Sequence, residues 1–241
     1  MNRIFIGFDQ RQCVSYTVLH TSIVTQSRKP CSITPLIIDQ LPIKRTGLTP
    51  FTFSRFLVPH LCGYDGWALF LDSDMLLAAD VSKLFDLADD RYAVQVVKNE
   101  KKFEWASAML FNCSHPENKI LTPEYIEEAK GLHQIGWLHQ SLIGDLPREW
   151  NHLVGYDAPT KDAKLIHYTQ GIPAYQETQD CEFSKEWKYL LQFAISSEPW
   201  ETLMGNSVHA VSVGDKKLPR YVVEDMLLKG TIKGHLEEVR V

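Results

Sequence analysis

The sequence predicts an α/β protein with one main domain, whose strands are concentrated before residue 112, and a C-terminal elaboration. Short apolar runs alternate with segments of helical spacing along the first half of the chain, as they do in βαβ units. Several of these runs end on an aspartate, where a strand would give way to a loop. The chain has 241 residues, and 44% of them are hydrophobic, so it can bury a full core.

The predicted elements follow from apolar runs, helical spacing and capping residues. Thr122, Pro123 and Glu124, for example, combine an N-cap, a proline at the first helical position and an acidic first turn. The predicted strands cover residues 3–9, 31–39, 67–71, 92–97, 105–112 and 164–168. The predicted helices cover residues 14–26, 51–61, 79–87, 122–131, 138–144 and 181–195. Residues 1–195 are therefore expected to form the main domain, and residues 196–241 a helical extension packed on it.

Composition and charge exclude several classes of function and location. The net charge of -5 offers no general basic surface for nucleic acid. The N-terminal apolar run is too short for a signal peptide, and no stretch reaches the about 18 apolar residues of a transmembrane helix. The five cysteines lack the spacing of a zinc site or a disulfide framework. The sequence therefore predicts a soluble cytoplasmic protein with no integral membrane segment.

The stretch from Trp67 to Leu77 carries the clearest chemical signal. An apolar run ends at Asp72 and Asp74, and apolar residues resume directly afterwards. Extended backbone points residues i and i+2 to the same side, so both carboxylates can face one volume at the carboxyl end of the strand, where open α/β sheets bind ligands. Two carboxylates that share a site repel each other unless a cation or a proton intervenes. A divalent metal that meets a phosphate-bearing ligand is the simplest interpretation, and solvated strand-end carboxylates are the alternative.

Two further residues are candidates for this site. His167 closes a predicted strand; a lone histidine there is usually structural, but beside the aspartate pair it can be a third metal ligand. Carboxylate oxygens with one imidazole suit Mn²⁺ better than Mg²⁺. Arg55 lies among aromatic residues, where an unpaired guanidinium would be costly. We expect Arg55 either to form an internal ion pair or to contact an anion or a sugar.

Two classes of enzyme carry an Asp-x-Asp motif at the end of a strand. In phosphohydrolases of the haloacid dehalogenase type, the motif usually opens the domain and needs a later lysine and an acidic pair. In nucleotide-sugar-dependent glycosyltransferases of the GT-A fold, the motif comes after the first βα units and holds Mn²⁺ or Mg²⁺ against the donor diphosphate. Here the motif follows the third predicted strand, which favours the second class.

Five segments in the same order resemble glycosyltransferase family 8, a GT-A family that includes glycogenin and bacterial lipopolysaccharide transferases. The matching segments are Ile6–Asp9, Phe53–Pro59, Leu71–Met75, Trp105–Asn112 and His167–Pro173. The resemblance implies a single Rossmann-like GT-A domain with a mixed central sheet flanked by helices. It also implies a retaining hexosyltransferase that uses a nucleotide diphosphate sugar, UDP-linked, and a glycan or lipid-linked saccharide as acceptor.

The same resemblance assigns roles to individual residues. The metal, Mn²⁺ or Mg²⁺, would be held by Asp72, Asp74 and His167. Gly7 and Asp9 would line the nucleoside pocket. The residues expected to bind the donor through its nucleoside, phosphates or sugar are Gly7, Asp9, Arg55, Asp72, Ser73, Ala106, Ser107 and Gly171.

Gln140 falls where relatives place an amide beneath the reacting carbon of the sugar. An amide is a poor nucleophile, so it fits a front-face mechanism, in which the leaving phosphate deprotonates the acceptor, better than a covalent intermediate. Asp145 is the nearest carboxylate for a covalent route. Pro173 stands where family 8 often has a phosphate-binding lysine, and the connection 98–104 is short. These two departures favour the alternative of a non-catalytic GT-A-like binding protein. In either case, the protein is expected to be a monomer or a homodimer.

Overall fold

The computed structural model describes residues 1–195 and 210–233. The chain divides into two compact units, Met1–Ala194 and Ile195–Val241. The predicted extension over residues 196–241 falls partly on residues 196–209 and 234–241, which lie outside the described residues. Its packing on the main domain stays a prediction. No helix in the described part of the chain is long and apolar enough to cross a membrane.

Strands and helices alternate through the first unit. Its strands are β1 Asn2–Gly7, β2 Cys31–Leu36, β3 Trp67–Leu71, β4 Met75–Leu77, β5 Val94–Val96, β6 Ala108–Asn112, β7 Ile143–Asp145, β8 His152–Leu153 and β9 Leu165–His167. The α-helices up to residue 195 are α1 Cys13–Gln26, α2 Val58–Leu61, α3 Ser82–Phe85, α4 Pro123–Glu128 and α5 Ser184–Ile195. The later described elements are β10 Ala210–Val213, β11 Lys216–Pro219 and α6 Arg220–Leu228.

The central sheet has six strands in the order β2-β1-β3-β6-β5-β7. Strand β1 is parallel to β2 and β3, whereas β6 is antiparallel to β3 and β5, and β7 is parallel to β5. The sheet is therefore mixed, as the resemblance predicts. In this register the carboxyl ends of β1, β3 and β7 lie at the same edge as the start of β6. Gly7, Leu71, Ala108 and Asp145 mark that edge, which is one end of the strands and not an outermost strand.

A separate three-stranded sheet adjoins the central sheet, in the order β4-β9-β8. Strand β4 follows β3 after a short turn and pairs antiparallel with β9, which places Met75 opposite His167. Strand β9 also pairs in parallel with β8. The turn between β3 and β4 is therefore the point where the chain passes from one sheet to the other.

The core lies on both faces of the central sheet. Along β3, Ala68 and Phe70 belong to one buried cluster, and Leu69 and Leu71 belong to another. Leu19 of α1 packs into the second cluster. This alternation is the period of two expected of a strand, and burial on both faces explains why the sequence of β3 is continuously apolar.

Two predictions about backbone conformation at the site edge are wrong. Asp74 lies in a turn rather than in extended backbone, because the chain bends at Ser73 and Asp74 on its way from β3 into β4. The predicted strand 105–112 begins only at Ala108. The preceding residues, Lys102–Ser107, form a 3₁₀ helix that leads the chain into the sheet. Both differences concern the short segments at the strand ends, where periodicity carries little information.

Predicted helices are also shorter in the structure: 79–87 and 122–131 are reduced to α3 and α4, and two others are largely replaced by 3₁₀ turns. The predicted helix 51–61 is a 3₁₀ turn followed by α2, with Pro59 in the first turn of α2, where its missing N–H is tolerated. The predicted helix 138–144 is a 3₁₀ turn, Gln140–Leu142, followed by β7. Gly144 allows β7 to pack closely, since a Cβ at this position would collide with neighbouring side chains.

The described part of the second unit is an antiparallel hairpin, β10–β11, followed by α6. The hairpin connection begins with Gly214, whose φ of +60° suits a tight two-residue turn. The sequence predicts only a helical elaboration here. The hairpin is missed because its strands are short and only weakly apolar.

Candidate metal centre

The turn between β3 and β4 is held by hydrogen bonds to two different parts of the fold. The Asp72 backbone N–H donates to the Ser107 carbonyl oxygen at 2.9 Å. The Tyr168 N–H donates to the Asp74 carbonyl oxygen at 3.0 Å. The first bond ties the turn to the chain entering β6, and the second ties it to the residue after β9. The turn thereby brings its two carboxylates close to His167, the last residue of β9.

Asp72, Asp74 and His167 form a group that can hold a metal ion. One ligand atom from each lies within 4.8 Å of the other two, and Nε2 of His167 is 3.4 Å from Oδ1 of Asp74. Ligand atoms about 2.0–2.4 Å from one ion are separated by no more than about twice that distance, so the three fit one cation. Among the described residues, the buried Oδ1 of Asp74 has no hydrogen-bond partner, and a bound cation would supply a partner.

Arg55 forms an ion pair with Asp72 from within the protein. Its Nη2 lies 3.0 Å from Oδ1 of Asp72, and its Nη1 donates to Oδ2 at 3.3 Å. The same guanidinium donates from Nη1 to the Ala106 carbonyl at 2.7 Å and from Nε to the Thr52 carbonyl at 3.1 Å. The internal ion pair, one of the two alternatives predicted for Arg55, is therefore present. It neutralises part of the acidic charge at the edge of the sheet.

Burial and mutual repulsion shift the pKa values of this group. Burial raises the pKa of Asp72 to about 7; Arg55 opposes this rise and Asp74 adds to it. Burial acts to lower the pKa of His167, but the carboxylates of Asp74, Glu104 and Asp72 together raise it above its ordinary value. The group is therefore a buried concentration of negative charge, and a cation would relieve it.

Glu104 is a member of this neighbourhood that the sequence did not single out. Its Oε2 lies 3.7 Å from Nδ1 of His167, and its side chain is 13% exposed. Burial raises the pKa of its carboxyl group, while His167 acts to lower it. The sequence places Glu104 in a charged connection, where nothing distinguishes it from exposed neighbours such as Lys101 and Lys102.

A cavity of about 610 Å³ opens beside the metal group. Three residues predicted to bind the donor, Asp9, Ser73 and Gly171, line it together with Asp74. The sequence did not predict the remaining lining residues, which are Arg11, Gln12, Leu48, Thr49, Phe51, Thr169, Gln170, Ile172 and Tyr175. The volume lies within the about 300–1,000 Å³ of small-molecule sites, and its wall combines apolar and charged groups as such sites do.

Asp9 is a buried acidic group in the wall of the cavity. It caps a 3₁₀ turn after β1, and its Oδ1 accepts the Arg11 backbone N–H at 2.9 Å. The Arg11 guanidinium donates to both carboxylate oxygens, from Nε at 3.0 Å and from Nη2 at 2.6 Å. The hydrogen bond from Arg11 lowers the pKa of Asp9, although burial opposes it. Asp9 is therefore an ionised acceptor at neutral pH.

The other predicted donor-binding residues lie at the same edge of the sheet. Gly7 ends β1 directly against Phe51, and a Cβ at Gly7 would collide with that ring. Ala106 and Ser107 are buried at the end of the 3₁₀ helix before β6, where their carbonyls accept from Arg55 and from the Asp72 N–H. These residues are thus close to the metal group through backbone contacts rather than through side chains.

The two predicted catalytic residues, Gln140 and Asp145, lie towards opposite ends of the strands of the central sheet. Asp145 ends β7, at the edge where Asp72 follows β3, and its Oδ1 accepts the Lys98 backbone N–H at 3.1 Å. Gln140 precedes β7 and is exposed, so strand order places it towards the edge where β3 begins. The connection from Gln140 to β7 is too short to contain a helix that would return it to the metal edge. The strand register therefore places Asp145 at the end of the strands that carries Asp72, three strands from β3, and Gln140 towards the other end.

Comparison with known proteins supports a family relationship. No family model matches the chain. Protein CDI of Arabidopsis thaliana is 39% identical over 219 residues, in an alignment that covers 77% of this chain and 84% of the relative. The chain belongs to the same family as Protein CDI.

Solved structures show what fold this member of the Protein CDI family has. The bifunctional glycosyltransferase WbbM aligns with a TM-score of 0.63 at 17% identity, over 85% of this chain and 51% of that chain. The glycosyltransferase GlyE of Streptococcus pneumoniae TIGR4 aligns with a TM-score of 0.62 at 15% identity, over 91% of this chain and 66% of that chain. The galactosyltransferase LgtC, solved with donor and acceptor sugar analogs, aligns with a TM-score of 0.57 at 11% identity, over 83% and 98%.

These likenesses show the fold: the protein has the GT-A glycosyltransferase architecture, and the predicted resemblance is confirmed. The chain spans about half of the WbbM chain and about two thirds of the GlyE chain. The aspartate pair lies between β3 and β4 rather than at the opening of the domain, which disfavours the phosphohydrolase alternative.

In this member of the Protein CDI family, Pro173 stands where family 8 often has a lysine, and the structure shows its surroundings. Pro173 directly follows Ile172, which lines the cavity in the turn after β9. Among the described residues that line this cavity, Arg11 is the basic one. The basic side chain on the described wall of the cavity therefore comes from the segment after β1 and not from the segment after β9.

Proposed function

We propose that this protein is a metal-dependent, retaining glycosyltransferase. It would transfer a hexose from a nucleotide diphosphate sugar, with UDP as the expected nucleotide, to a hydroxyl of a glycan or lipid-linked saccharide. One observation carries the proposal: Asp72, Asp74 and His167 meet beside a cavity of about 610 Å³ in a GT-A fold. The all-free cysteines support the expectation that it acts in the reducing cytoplasm.

The metal would be Mn²⁺, with Mg²⁺ as the second choice, because the ligand set pairs carboxylate oxygens with an imidazole. When bound, such an ion supplies Lewis-acid stabilisation of the charge on the departing diphosphate. Asp72, Asp74 and His167 are the residues that would hold it. The buried negative charge of the group supplies the driving force for binding a cation.

The remaining residues bind and orient the donor. Asp9 is a buried, ionised acceptor for N–H or O–H groups of the nucleoside. Phe51 and Tyr175 offer aromatic surfaces on the cavity wall for a flat base. Arg11 is the cation that we assign to the diphosphate in place of the family lysine. Arg55 keeps Asp72 in place through its ion pair and through the Ala106 carbonyl.

Retention of configuration rests on the resemblance to family 8. A front-face route, in which the leaving phosphate takes the proton of the acceptor hydroxyl, needs no protein nucleophile, and we propose this route. The position of Gln140 towards the other edge of the sheet gives no support to a role beneath the sugar. Asp145, the predicted carboxylate for a covalent route, ends β7 at the same end of the strands as Asp72 but three strands away from β3.

Thermal unfolding with nucleotides and metals tests the proposal. We expect UDP with Mn²⁺ to raise the unfolding temperature more than either component alone. At one hundred times the dissociation constant, binding adds about 2.7 kcal/mol, which corresponds to about 5–10 °C for a chain of this size. Asp74→Asn should abolish the metal-dependent part, while Asp162→Asn, an exposed aspartate outside the cavity, should not. No stabilisation by any nucleoside diphosphate with either metal would contradict the proposal.

A non-catalytic binding protein is the second candidate. Pro173 in place of the lysine, and the position of Gln140, favour it. The two candidates differ in turnover. An NMR assay that follows consumption of UDP-sugars, with and without saccharide acceptors, should detect release of UDP and an α-linked product from an α-linked donor if the protein is a retaining enzyme. Metal-dependent binding of UDP without turnover of any donor would favour the second candidate.

A further inference from the structure

The imidazole of His167 lies between two carboxylates, one at each ring nitrogen. Nε2 is 3.4 Å from Oδ1 of Asp74, and Nδ1 is 3.7 Å from Oε2 of Glu104. The side chain of His167 is 4% exposed, so water does not compete for either nitrogen. Nδ1 is buried and has no hydrogen-bond partner among the described residues. A buried N–H without an acceptor is unfavourable, and Glu104 is the acceptor that faces it.

The backbone of Glu104 is fixed, so its carboxylate is directed towards the histidine by the fold. The Ser107 hydroxyl donates to the Glu104 carbonyl oxygen at 2.6 Å. The buried amide of Asn151 donates from Nδ2 to the same carbonyl at 3.3 Å and to the Ser107 hydroxyl at 3.0 Å. The Glu104 N–H donates to the Lys101 carbonyl at 2.8 Å. This network fixes the 3₁₀ turn from which the Glu104 side chain extends.

We propose that Glu104 is a positioning residue for the metal centre: it accepts the Nδ1 hydrogen of His167 and so directs Nε2 towards Asp74 and the cation. This inference rests on the proposed metal site. The separation of 3.7 Å exceeds a hydrogen bond, but a small rotation of the flexible Glu104 side chain closes it. A histidine that ligates a metal commonly donates its other N–H to a carboxylate, which fixes the tautomer and raises the basicity of the ligating nitrogen.

Titration of the protein with Mn²⁺, followed by electron paramagnetic resonance of the free ion, tests the role of Glu104. Loss of such an outer partner weakens metal binding by about 10–100-fold. We expect Glu104→Ala to raise the dissociation constant of Mn²⁺ by this factor. Glu104→Gln keeps an acceptor oxygen at the same place and should stay within about threefold of the wild type, since the tautomer is preserved. Glu100→Ala, an exposed glutamate of the same connection, is the matched control and should bind as the wild type does.

Several outcomes would overturn the assignment. If Glu104→Gln loses as much affinity as Glu104→Ala, the carboxylate acts as a direct ligand and not through His167. If Glu104→Ala lowers the unfolding temperature in chelator but leaves the Mn²⁺ affinity unchanged, the role of Glu104 is structural only. Glu104→Leu, which fills the volume without offering an acceptor, replaces Glu104→Ala if that variant does not fold.

The titration also separates this proposal from the proposed function. A wild-type protein that binds no Mn²⁺ contradicts the metal site itself, and the role of Glu104 with it. A wild type that binds Mn²⁺, an Asp74→Asn variant that does not, and a Glu104→Ala variant with unchanged affinity would contradict the role of Glu104 alone. Loss of affinity in both variants, with recovery in Glu104→Gln, supports both proposals.

Discussion

Replacing Asp72 by asparagine should stabilise the metal-free protein more at alkaline pH than at acidic pH. The carboxyl group of Asp72 has a pKa of about 7 in the folded protein and an ordinary value of 3.8 in the unfolded chain, chiefly because it is buried. Between these two values the folded state binds a proton that the unfolded state does not. The stability associated with this group is therefore fully present below pH 3.8 and is lost as the pH rises to about 7.

The size of the effect follows from the same interval. Each pH unit between the unfolded and folded pKa values of Asp72 lowers the free energy of unfolding by about 1.36 kcal/mol. The carboxyl group therefore costs the folded protein about 4 kcal/mol above pH 7 and about 2 kcal/mol at pH 5. Asparagine has nearly the same shape and does not titrate. It leaves Arg55 without its charged partner, but that cost is the same at both pH values. The stability of Asp72→Asn relative to the wild type should therefore rise by about 2–3 kcal/mol between pH 5 and pH 8.

Urea unfolding in the presence of EDTA, at several pH values from 5 to 8, measures this difference. Asp86→Asn is the control, since Asp86 is an exposed aspartate paired with Lys29 at the surface. Its stability relative to the wild type should stay constant across the same range. Parallel pH profiles for the wild type and Asp72→Asn, within about 1 kcal/mol, would refute the reasoning that the site holds a buried excess of negative charge. Addition of Mn²⁺ should then stabilise the wild type and leave Asp72→Asn unchanged.

Three further substitutions, one of them with a matched control, test other parts of the protein. Burial, with a smaller contribution from Arg55, lowers the pKa of His133 to about 4. The stability that depends on its neutral form is therefore lost as the pH falls from 6.5 to about 4. In urea unfolding, His133→Phe should lose about 1–2 kcal/mol less stability than the wild type over this pH range, after allowance for solvent screening. Gly171→Ala should destabilise by about 1–3 kcal/mol and weaken UDP binding in calorimetry, because φ is +120° and the added Cβ would lie 2.9 Å from Tyr175. Gly63→Ala, at φ +62° in open space, should show only the smaller backbone effect and normal UDP binding. Leu110→Ala should lower the free energy of unfolding by about 2–5 kcal/mol and leave the Mn²⁺ dissociation constant unchanged.

The sequence predicts the parts of the fold that depend on local patterns. The apolar run of β3 and the aspartates after it are adjacent in the chain, so the strand and its acidic end can be inferred together. The capping of α4 by Thr122 is confirmed for the same reason, since its hydroxyl accepts the Tyr125 N–H. The mixed sheet was predicted through the resemblance. His167 was predicted as a third ligand from its place at the end of a strand, and the pairing of β4 with β9 brings it close to Asp74.

The parts that the sequence misses depend on contacts between distant residues. Glu104 lies in a charged connection and acquires its significance only because the 3₁₀ helix directs it towards His167, sixty-three residues later in the chain. Gln140 was assigned through the resemblance, but the short connection before β7 places it towards the other edge of the sheet. The cavity wall from Leu48 to Phe51 belongs to a loop, whose path no periodic pattern describes.

The candidate metal centre lies where the two sheets meet, so a bound metal would couple to the stability of both. Asp72 is held by the central sheet, through the Ser107 carbonyl and Arg55. Asp74 and His167 are held by the small sheet, through the pairing of β4 with β9. Without a cation the carboxylates repel each other across this junction, whereas a bound ion would attract ligands from both sheets at once. The same arrangement that lowers the stability of the metal-free protein therefore provides the free energy with which the protein would select a divalent ion.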